Sequence, residues 1–155
     1  MGQAPQVIRP MAQAEEIDVR RVYEVCHPRW PRKPQHWYQA HPTLVLFHGA
    51  TLLGFPAYSV GPPPTTLASS GETELMYGHG VYVHPDHRGK GYGQQLADAR
   101  LKVCGALGLL TFVGMTQPDN APMRAIFARH KMKTWGQVPS AYPDGAEARI
   151  YMGKP

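Results

Sequence analysis

The chain has 155 residues, with 16 basic and 11 acidic side chains, so its formal net charge is +5. This length fits one domain with a core of its own, and 43% hydrophobic residues argue against a disordered chain. No apolar run approaches the roughly 20 residues of a membrane span, and the N-terminal residues lack the apolar centre of a signal peptide. With only two cysteines, we expect a single domain over residues 1–155, in the cytoplasm and without a membrane partner.

Apolar periodicity and turn residues predict the elements of the first half of the chain. In chain order they are a strand over Gln6–Arg9, a helix over Ala14–Cys26, a short helix over Gln35–Ala40, and strands over Thr43–Phe47 and Leu52–Val60. The proline-rich stretch that begins at Gly61 cannot pair in the middle of a sheet. We therefore expect a loop from Gly61 to Gly71.

The second half alternates strands and helices. The predicted elements are a strand over Glu74–Val83, a helix over Gly93–Leu107 that Gly108 ends, a strand over Leu109–Met115, a helix from Asp119 or Asn120 to about His130, and strands over Thr134–Val138 and Ala146–Met152. The order β-α-α-β-β-β-α-β-α-β-β predicts an α/β domain of the α+β type. Its mixed sheet contains one strand–helix–strand crossover.

A basic, glycine-rich turn joins the predicted strand Glu74–Val83 to the helix that follows it. Glycines let backbone N–H groups converge on a ligand, and the first N–H groups of a helix carry the positive end of its dipole. Arg88 and Lys90 add full charges. The spacing matches neither a Walker loop nor a dinucleotide fingerprint. The turn predicts an anion site suited to a pyrophosphate, with an ordinary solvated turn as the alternative.

At this turn the sequence resembles the GNAT N-acetyltransferase family. Arg88-Gly89-Lys90-Gly91-Tyr92-Gly93 matches the Arg/Gln-x-x-Gly-x-Gly/Ala loop of that family, and Val81-Tyr82-Val83-His84-Pro85 is similar to its fourth strand and exit. The predicted element order is similar to the GNAT fold over essentially the whole chain. Asn120 after the next strand and the closing segment Ile150–Pro155 add to the resemblance.

The resemblance implies acetyl-coenzyme A, or a related acyl-coenzyme A, as the acyl donor, and no metal. Backbone amides of Arg88 to Gly93 would hold the pyrophosphate, and backbone groups around Tyr82, at Val81 and Val83, would pair with the pantetheine arm. In this family the fourth and fifth strands splay apart there. Asn120 would bind the arm or hold the loop, or else only cap a helix.

The resemblance also implies where the base for the acceptor amine stands. Family members often carry a carboxylate on the fourth strand, and the matching positions here are Tyr77 and His79. His79 shares the strand parity of Val81 and Val83, so we expect it to face the same side and to take the proton near neutral pH. The alternative is a histidine that only forms a hydrogen bond in the sheet. Glu74 is a second candidate, or a solvated strand start.

One departure from the family pattern concerns the proton for the leaving thiolate. The usual tyrosine falls on Phe127, which cannot donate a proton but would pack near the thiol. Tyr142 in the late loop is the substitute candidate, with packing as the alternative. Lys131 and Met132 stand where the family often has glycine and an aromatic residue.

These observations predict an N-acetyltransferase in which an amine attacks acetyl-coenzyme A directly in a ternary complex. The acceptor is an unidentified small molecule or protein, for which Trp30, Trp37, Tyr38 and Tyr58 are either pocket or core residues. A coenzyme A-binding module without turnover is the runner-up. A nucleic-acid-binding domain is disfavoured because no basic helix is present. The sequence leaves the oligomeric state open, a homodimer included.

Cys26 beside His27 offers one further pair, a nucleophile and its base. Neighbouring residues on a helix point about 100° apart. We therefore expect ordinary structural roles for both, and a small core residue at Cys104.

Overall fold

The computed structural model describes residues 6–31, 33, 37–38, 41, 44–63 and 74–155. The strands are β1 (Gln6–Pro10), β2 (Leu44–His48), β3 (Thr51–Gly61), β4 (Leu75–Val83), β5 (Phe112–Thr116), β6 (Lys133–Val138) and β7 (Ala148–Gly153). The helices are α1 (Glu16–Cys26), α2 (Tyr92–Ala106) and α3 (Ala121–Arg129). Of the predicted helix Gln35–Ala40, the described residues Trp37 and Tyr38 are helical. Most of the predicted loop from Gly61 to Gly71 lies outside the described residues.

The strands form one mixed sheet in the order β1-β2-β3-β4-β5-β7-β6. Antiparallel ladders join β1 to β2, β2 to β3, β5 to β7 and β6 to β7, whereas β4 and β5 are parallel. A parallel pair needs a crossover, which α2 supplies. The predicted mixed α/β class is therefore confirmed. The prediction of a single crossover is wrong, because β5 and β6 are both antiparallel to β7 and hence parallel to each other, so α3 makes a second crossover.

The ladder between β4 and β5 is short. Its register contains the pairs Met76–Phe112 and Tyr77–Val113, whereas β4 continues to Val83 and β5 to Thr116. The predicted splaying of the fourth and fifth strands requires such a ladder, one in which pairing stops before the strands end.

Several element ends differ from prediction. The Gly108 N–H and the Leu109 N–H donate to Gly105 and Cys104 carbonyl oxygens at 3.0 and 3.1 Å, so the end of α2 uses these residues and β5 starts only at Phe112. At the other end of the sequence, the stretch predicted as one helix from Ala14 begins with a 3-10 turn over Gln13–Glu15. The predicted stop of β3 at Val60 is one residue short.

The chain divides into two compact units, one made of residues 1–57 and 81–100, the other of residues 58–80 and 101–155. The first has a core cluster of apolar side chains from α1, β2, β3, β4 and the stretch between α1 and β2, namely Val19, Val22, Tyr23, Tyr38, Val45, Leu52, Phe55, Ala57 and Tyr82. A second cluster in the same unit consists of Leu46, Leu53 and Leu96.

In the second unit, α3 packs on β5 through one aromatic ring. A Cβ on Gly114 would lie 2.7 Å from Phe127 Cζ, so only glycine lets the ring lie this close to the strand. Phe127 also stacks on Tyr151 of β7, with ring centroids 4.7 Å apart. The expectation of one domain over residues 1–155 stays a prediction.

In the described part of the chain, no helix is long and apolar enough to cross a membrane.

Candidate functional site

The glycine turn between β4 and α2 has a backbone that other residues rarely adopt. Gly89 and Gly91 have φ angles of 79° and 82°, in the left-handed region that favours glycine. A Cβ at either position would meet nothing within 4 Å. Backbone conformation, not crowding, therefore selects glycine at these two exposed positions.

The first N–H groups of α2, beside this turn, have no partner within the helix. The first hydrogen bond of the helix runs from the Gln95 N–H to the Gly91 carbonyl oxygen at 3.1 Å, so the N–H groups of Tyr92, Gly93 and Gln94 precede it. The first turn of α2 carries no acidic side chain, and Lys90 is exposed. This donor set fits the two phosphates of coenzyme A, because a helix N-terminus with glycines before it stabilises an anion.

Arg88 is held by its own unit. Its Nε donates to the Val83 carbonyl oxygen at 3.0 Å, and its Nη2 contacts Cys26 Sγ at 3.4 Å. Cys26 Sγ also donates to the Val83 carbonyl oxygen at 3.4 Å. The guanidinium therefore ties the turn to the ends of β4 and α1, a role the sequence did not indicate.

Cys26 and His27 have separate partners, as expected. The His27 ring stacks on Trp30 with centroids 3.8 Å apart, whereas Cys26 contacts Val83 and Arg88. Burial raises the pKa of the Cys26 thiol, and the Arg88 contact opposes this only in part. Burial, with Arg88 and Lys33, lowers the pKa of His27. A neutral thiol is a poor nucleophile.

The end of β4 presents its side chains to two apolar clusters. Val81 and Val83 pack against the cluster of Leu46, Leu53 and Leu96. Tyr82 is buried, and its ring stacks on Phe55 at 4.9 Å. These side chains belong to the packing of the first unit, which leaves the backbone of the strand as its functional part.

His79 bonds to a residue that the sequence did not single out. Ser59 Oγ on β3 lies 2.6 Å from His79 Nε2 on β4, and both residues are half-buried. Gly80, directly after His79, has a φ of 109°, which a regular strand does not have. Regular strand geometry is therefore interrupted at Gly80, and the expectation that His79 shares the side of Val81 stays a prediction.

Tyr77 and Glu74, the other candidate bases, are placed differently. The Tyr77 hydroxyl donates to the Pro62 carbonyl oxygen at 2.5 Å, and burial raises its pKa. The phenolic proton of Tyr77 is thus donated to the backbone directly after the end of β3. Glu74 is exposed just before β4.

Asn120 caps α3. Its Oδ1 accepts a hydrogen bond from the Met123 N–H at 3.2 Å, and its side chain is exposed. Of the two roles considered for Asn120, the cap is the one observed. Tyr142 lies in the turn before β7, and burial and Asp144 raise its pKa, so its phenol stays protonated near neutral pH.

Two of the four aromatic residues considered for an acceptor pocket are core residues. Tyr38 and Tyr58 are 2% and 8% exposed. Trp30 and Trp37 are half-buried and remain candidates. Among the described residues, no group of three His, Cys, Asp or Glu side chains is arranged to bind a metal ion.

Comparison with known proteins points to one family. The profile of the acetyltransferase (GNAT) family matches residues 11–132. Two curated relatives, from Pseudomonas paraeruginosa and Pseudomonas aeruginosa, are L-methionine sulfoximine/L-methionine sulfone acetyltransferases. Each is 32% identical over 102 residues, which make up 65% of this chain and 56% of the relative. The chain thus spans about half the length of these relatives.

Solved structures share the fold at low identity. NAA60 of Arabidopsis thaliana in complex with acetyl-CoA has a TM-score of 0.84 at 13% identity, over 97% of this chain and 100% of that one. The acetyltransferase yncA of Salmonella typhimurium with acetyl-CoA has a TM-score of 0.76 at 18% identity, over 96% and 93%. Because the family profile covers most of the chain, including the glycine turn and the strand before it, the protein belongs to the GNAT acetyltransferase family.

Proposed function

We propose that the protein transfers the acetyl group of acetyl-coenzyme A to the primary amine of a free amino acid or a close derivative. The observation that supports acetyl-coenzyme A as the donor is the glycine turn at the N-terminus of α2, with Gly89 and Gly91 at positive φ. Structural neighbours with acetyl-CoA bound support the same donor. The amino-acid acceptor is supported by the methionine sulfoximine acetyltransferases among the relatives.

The chain's own groups divide the binding of the donor between them. The N–H groups from Gly89 to Gly93, with Lys90, bind the pyrophosphate. Backbone groups of Val81 and Val83 bind the pantetheine amides as a neighbouring strand would, and Phe127 packs near the thiol. Arg88 acts indirectly, by holding the turn on Val83 and Cys26.

The acceptor amine has to lose a proton before it attacks, since a free ammonium is not a nucleophile. His79 is the base we propose, because an imidazole accepts a proton near neutral pH and the other candidates do not suit the task. The Tyr77 hydroxyl is engaged on the Pro62 carbonyl oxygen, and Glu74 is exposed before the strand. Tyr142, whose phenol is protonated near neutral pH, is the proposed proton donor to the thiolate.

The direct test follows free thiol. The protein is incubated with acetyl-coenzyme A and, separately, methionine sulfoximine, methionine sulfone, a set of free amino acids, a polyamine and a peptide with a free N-terminus. We expect thiol release with amino acids and little with the polyamine, because the chain's formal charge of +5 opposes a polycation. Thiol release with the peptide and with none of the other amines would contradict a free amino acid as acceptor, but it would still support acetyl-coenzyme A as the donor.

The runner-up is a coenzyme A-binding module without turnover. Phe127 in place of the family tyrosine and the absence of a carboxylate at Tyr77 and His79 favour it. Binding of acetyl-coenzyme A by calorimetry, together with no thiol release from any amine, would establish it. A cytoplasmic location and a homodimer are kept as proposals, to be tested by fractionation and by light scattering.

A further inference from the structure

Ser59 and His79 are joined by a short side-chain hydrogen bond. The 2.6 Å between Ser59 Oγ and His79 Nε2 is at the short end of hydrogen-bond distances. The two residues lie on β3 and β4, which are neighbours in the sheet. Strands hold a side chain more rigidly than loops do, so this pair is fixed by the fold itself.

The backbone around the pair is partly buried and turns directly after the histidine. In sequence, Ser59 lies between buried Tyr58 and exposed Val60. His79 lies between buried Gly78 and half-buried Gly80. The φ of 109° at Gly80 turns the strand directly after the histidine. Of the two nitrogens of the His79 ring, Nε2 is the one that is hydrogen-bonded to Ser59.

We propose that Ser59 is a positioning residue for His79, holding the imidazole at Nε2 so that it takes the proton of the acceptor amine. This inference rests on the proposed function. It adds a residue that neither the family motif nor the sequence pattern marks.

The proton balance of the step shows why a hydroxyl suits this place. The acceptor ammonium gives one proton to the imidazole, and its nitrogen then forms a bond to the acetyl carbon while the carbon–sulfur bond breaks. The nitrogen loses a second proton as the amide forms, and this proton balances the one that the leaving thiolate takes up. The neutral ring that can take this proton carries its own proton on Nε2 and donates it to Ser59 Oγ; in the imidazolium the same Nε2–H still donates to Ser59 Oγ. The bond in the imidazolium is charge-assisted and therefore stronger, so Ser59 favours the protonated ring.

Among the described residues, two other titratable side chains on the strands of the pair have a pKa that burial raises. These are Tyr58 on β3 and Tyr77 on β4. Glu74 precedes β4, and β5, on the other side of β4, carries no titratable side chain. From α2, Arg100 donates to the Ala57 carbonyl oxygen on β3, and burial lowers its pKa to about 10, which keeps it charged. Against this background a change in titration near neutral pH reports on the pair.

The experiment compares Ser59→Thr, which keeps the hydroxyl, with Ser59→Val, which has the same shape without it, and with Ser59→Ala. The imidazole of His79, assigned among the eight histidines with His79→Ala, is titrated by NMR without donor or acceptor. We expect its midpoint to move to lower pH in the valine and alanine variants and to stay near the wild-type value in the threonine variant.

Kinetics supply the second readout. We expect the turnover of the valine and alanine variants to fall about tenfold, with an unchanged KM for acetyl-coenzyme A, and their pH profile to shift as the NMR midpoint does. Ser59→Ala added to His79→Ala should cost nothing more, because both act through one group.

Three outcomes would count against the proposal. A valine variant that titrates and turns over like the threonine variant overturns the role of Ser59 and leaves acetyl transfer intact. A further loss in the double variant shows that Ser59 does not act through His79. A wild-type protein that binds acetyl-coenzyme A but releases no thiol with any amine overturns the proposed function, and this inference with it.

Discussion

At the scale of single residues, the glycine turn can be tested with a matched pair of substitutions. Gly91 and Gly108 both have positive φ, 82° and 74°, and a Cβ at either would meet nothing within 4 Å. Glutamate at either position costs about 1 to 2 kcal/mol of backbone strain. Only Gly91→Glu also puts a negative charge where the N–H groups of α2 begin.

We therefore expect Gly91→Glu and Gly108→Glu both to lower the melting temperature, Gly108→Glu more because its carboxylate lies at the carbonyl end of α2, but only Gly91→Glu to weaken binding. Acetyl-coenzyme A should bind to the Gly91 variant at least a hundredfold more weakly, and to the Gly108 variant as to wild type, by calorimetry. Equal affinities in the two variants would place the pyrophosphate elsewhere.

His27 gives a prediction about pH. Burial first, then the charges of Arg88 and Lys33, lower its pKa, so the folded protein binds the imidazole proton less readily than the unfolded chain. This contribution to stability is fully present above about pH 6.5, the unfolded value, and is lost as the pH falls toward the lowered folded value. In His27→Phe, which keeps a ring to stack on Trp30, urea unfolding should lose less stability between pH 7.5 and 5.5. Parallel curves for the two proteins would contradict the prediction.

At the scale of elements, the cap of α3 separates two roles for Asn120. Asn120→Ala removes the acceptor for the Met123 N–H and should lower the free energy of unfolding by about 1 kcal/mol. Asn120→Asp keeps a capping oxygen and adds a favourable charge at a helix start, so it should retain stability. The measurement is urea denaturation, with acetyl-coenzyme A affinity taken alongside. An aspartate variant that keeps its stability but loses affinity would give Asn120 a binding role as well.

Element ends marked by glycine or proline could be read from the sequence, and contacts across the sheet could not. Gly108 ends α2 as predicted, because its positive φ leaves little choice of residue. The turn at Gly89 and Gly91 was found for the same reason. The bonds from Ser59 to His79 and from Arg88 to Cys26 join residues 20 and 62 positions apart. The first depends on the register of two strands and the second on how a helix end meets a turn, and neither is encoded in the local apolar pattern.

At the scale of the whole molecule, chain connectivity bears on how the protein unfolds. The two compact units are each built from two separate stretches, so the chain passes from one unit to the other three times, after residues 57, 80 and 100. Both β3 and β4, and also α2, contribute residues to both units. Because these two strands and this helix belong to both units, unfolding one unit also disrupts the strands and the helix of the other.

We therefore expect a single cooperative unfolding transition, which the tryptophans can test unit by unit. Trp30 and Trp37 lie in the first unit and Trp135 in the second. The Trp135→Phe variant reports on the first unit by fluorescence, and the double variant Trp30→Phe/Trp37→Phe reports on the second. Urea midpoints that coincide with each other and with far-UV circular dichroism of the same variant are the expected result, because the shared strands and helix couple both stretches. Separated midpoints, with the circular dichroism curve showing two steps, would mean that the units unfold independently and that the single-domain interpretation is wrong.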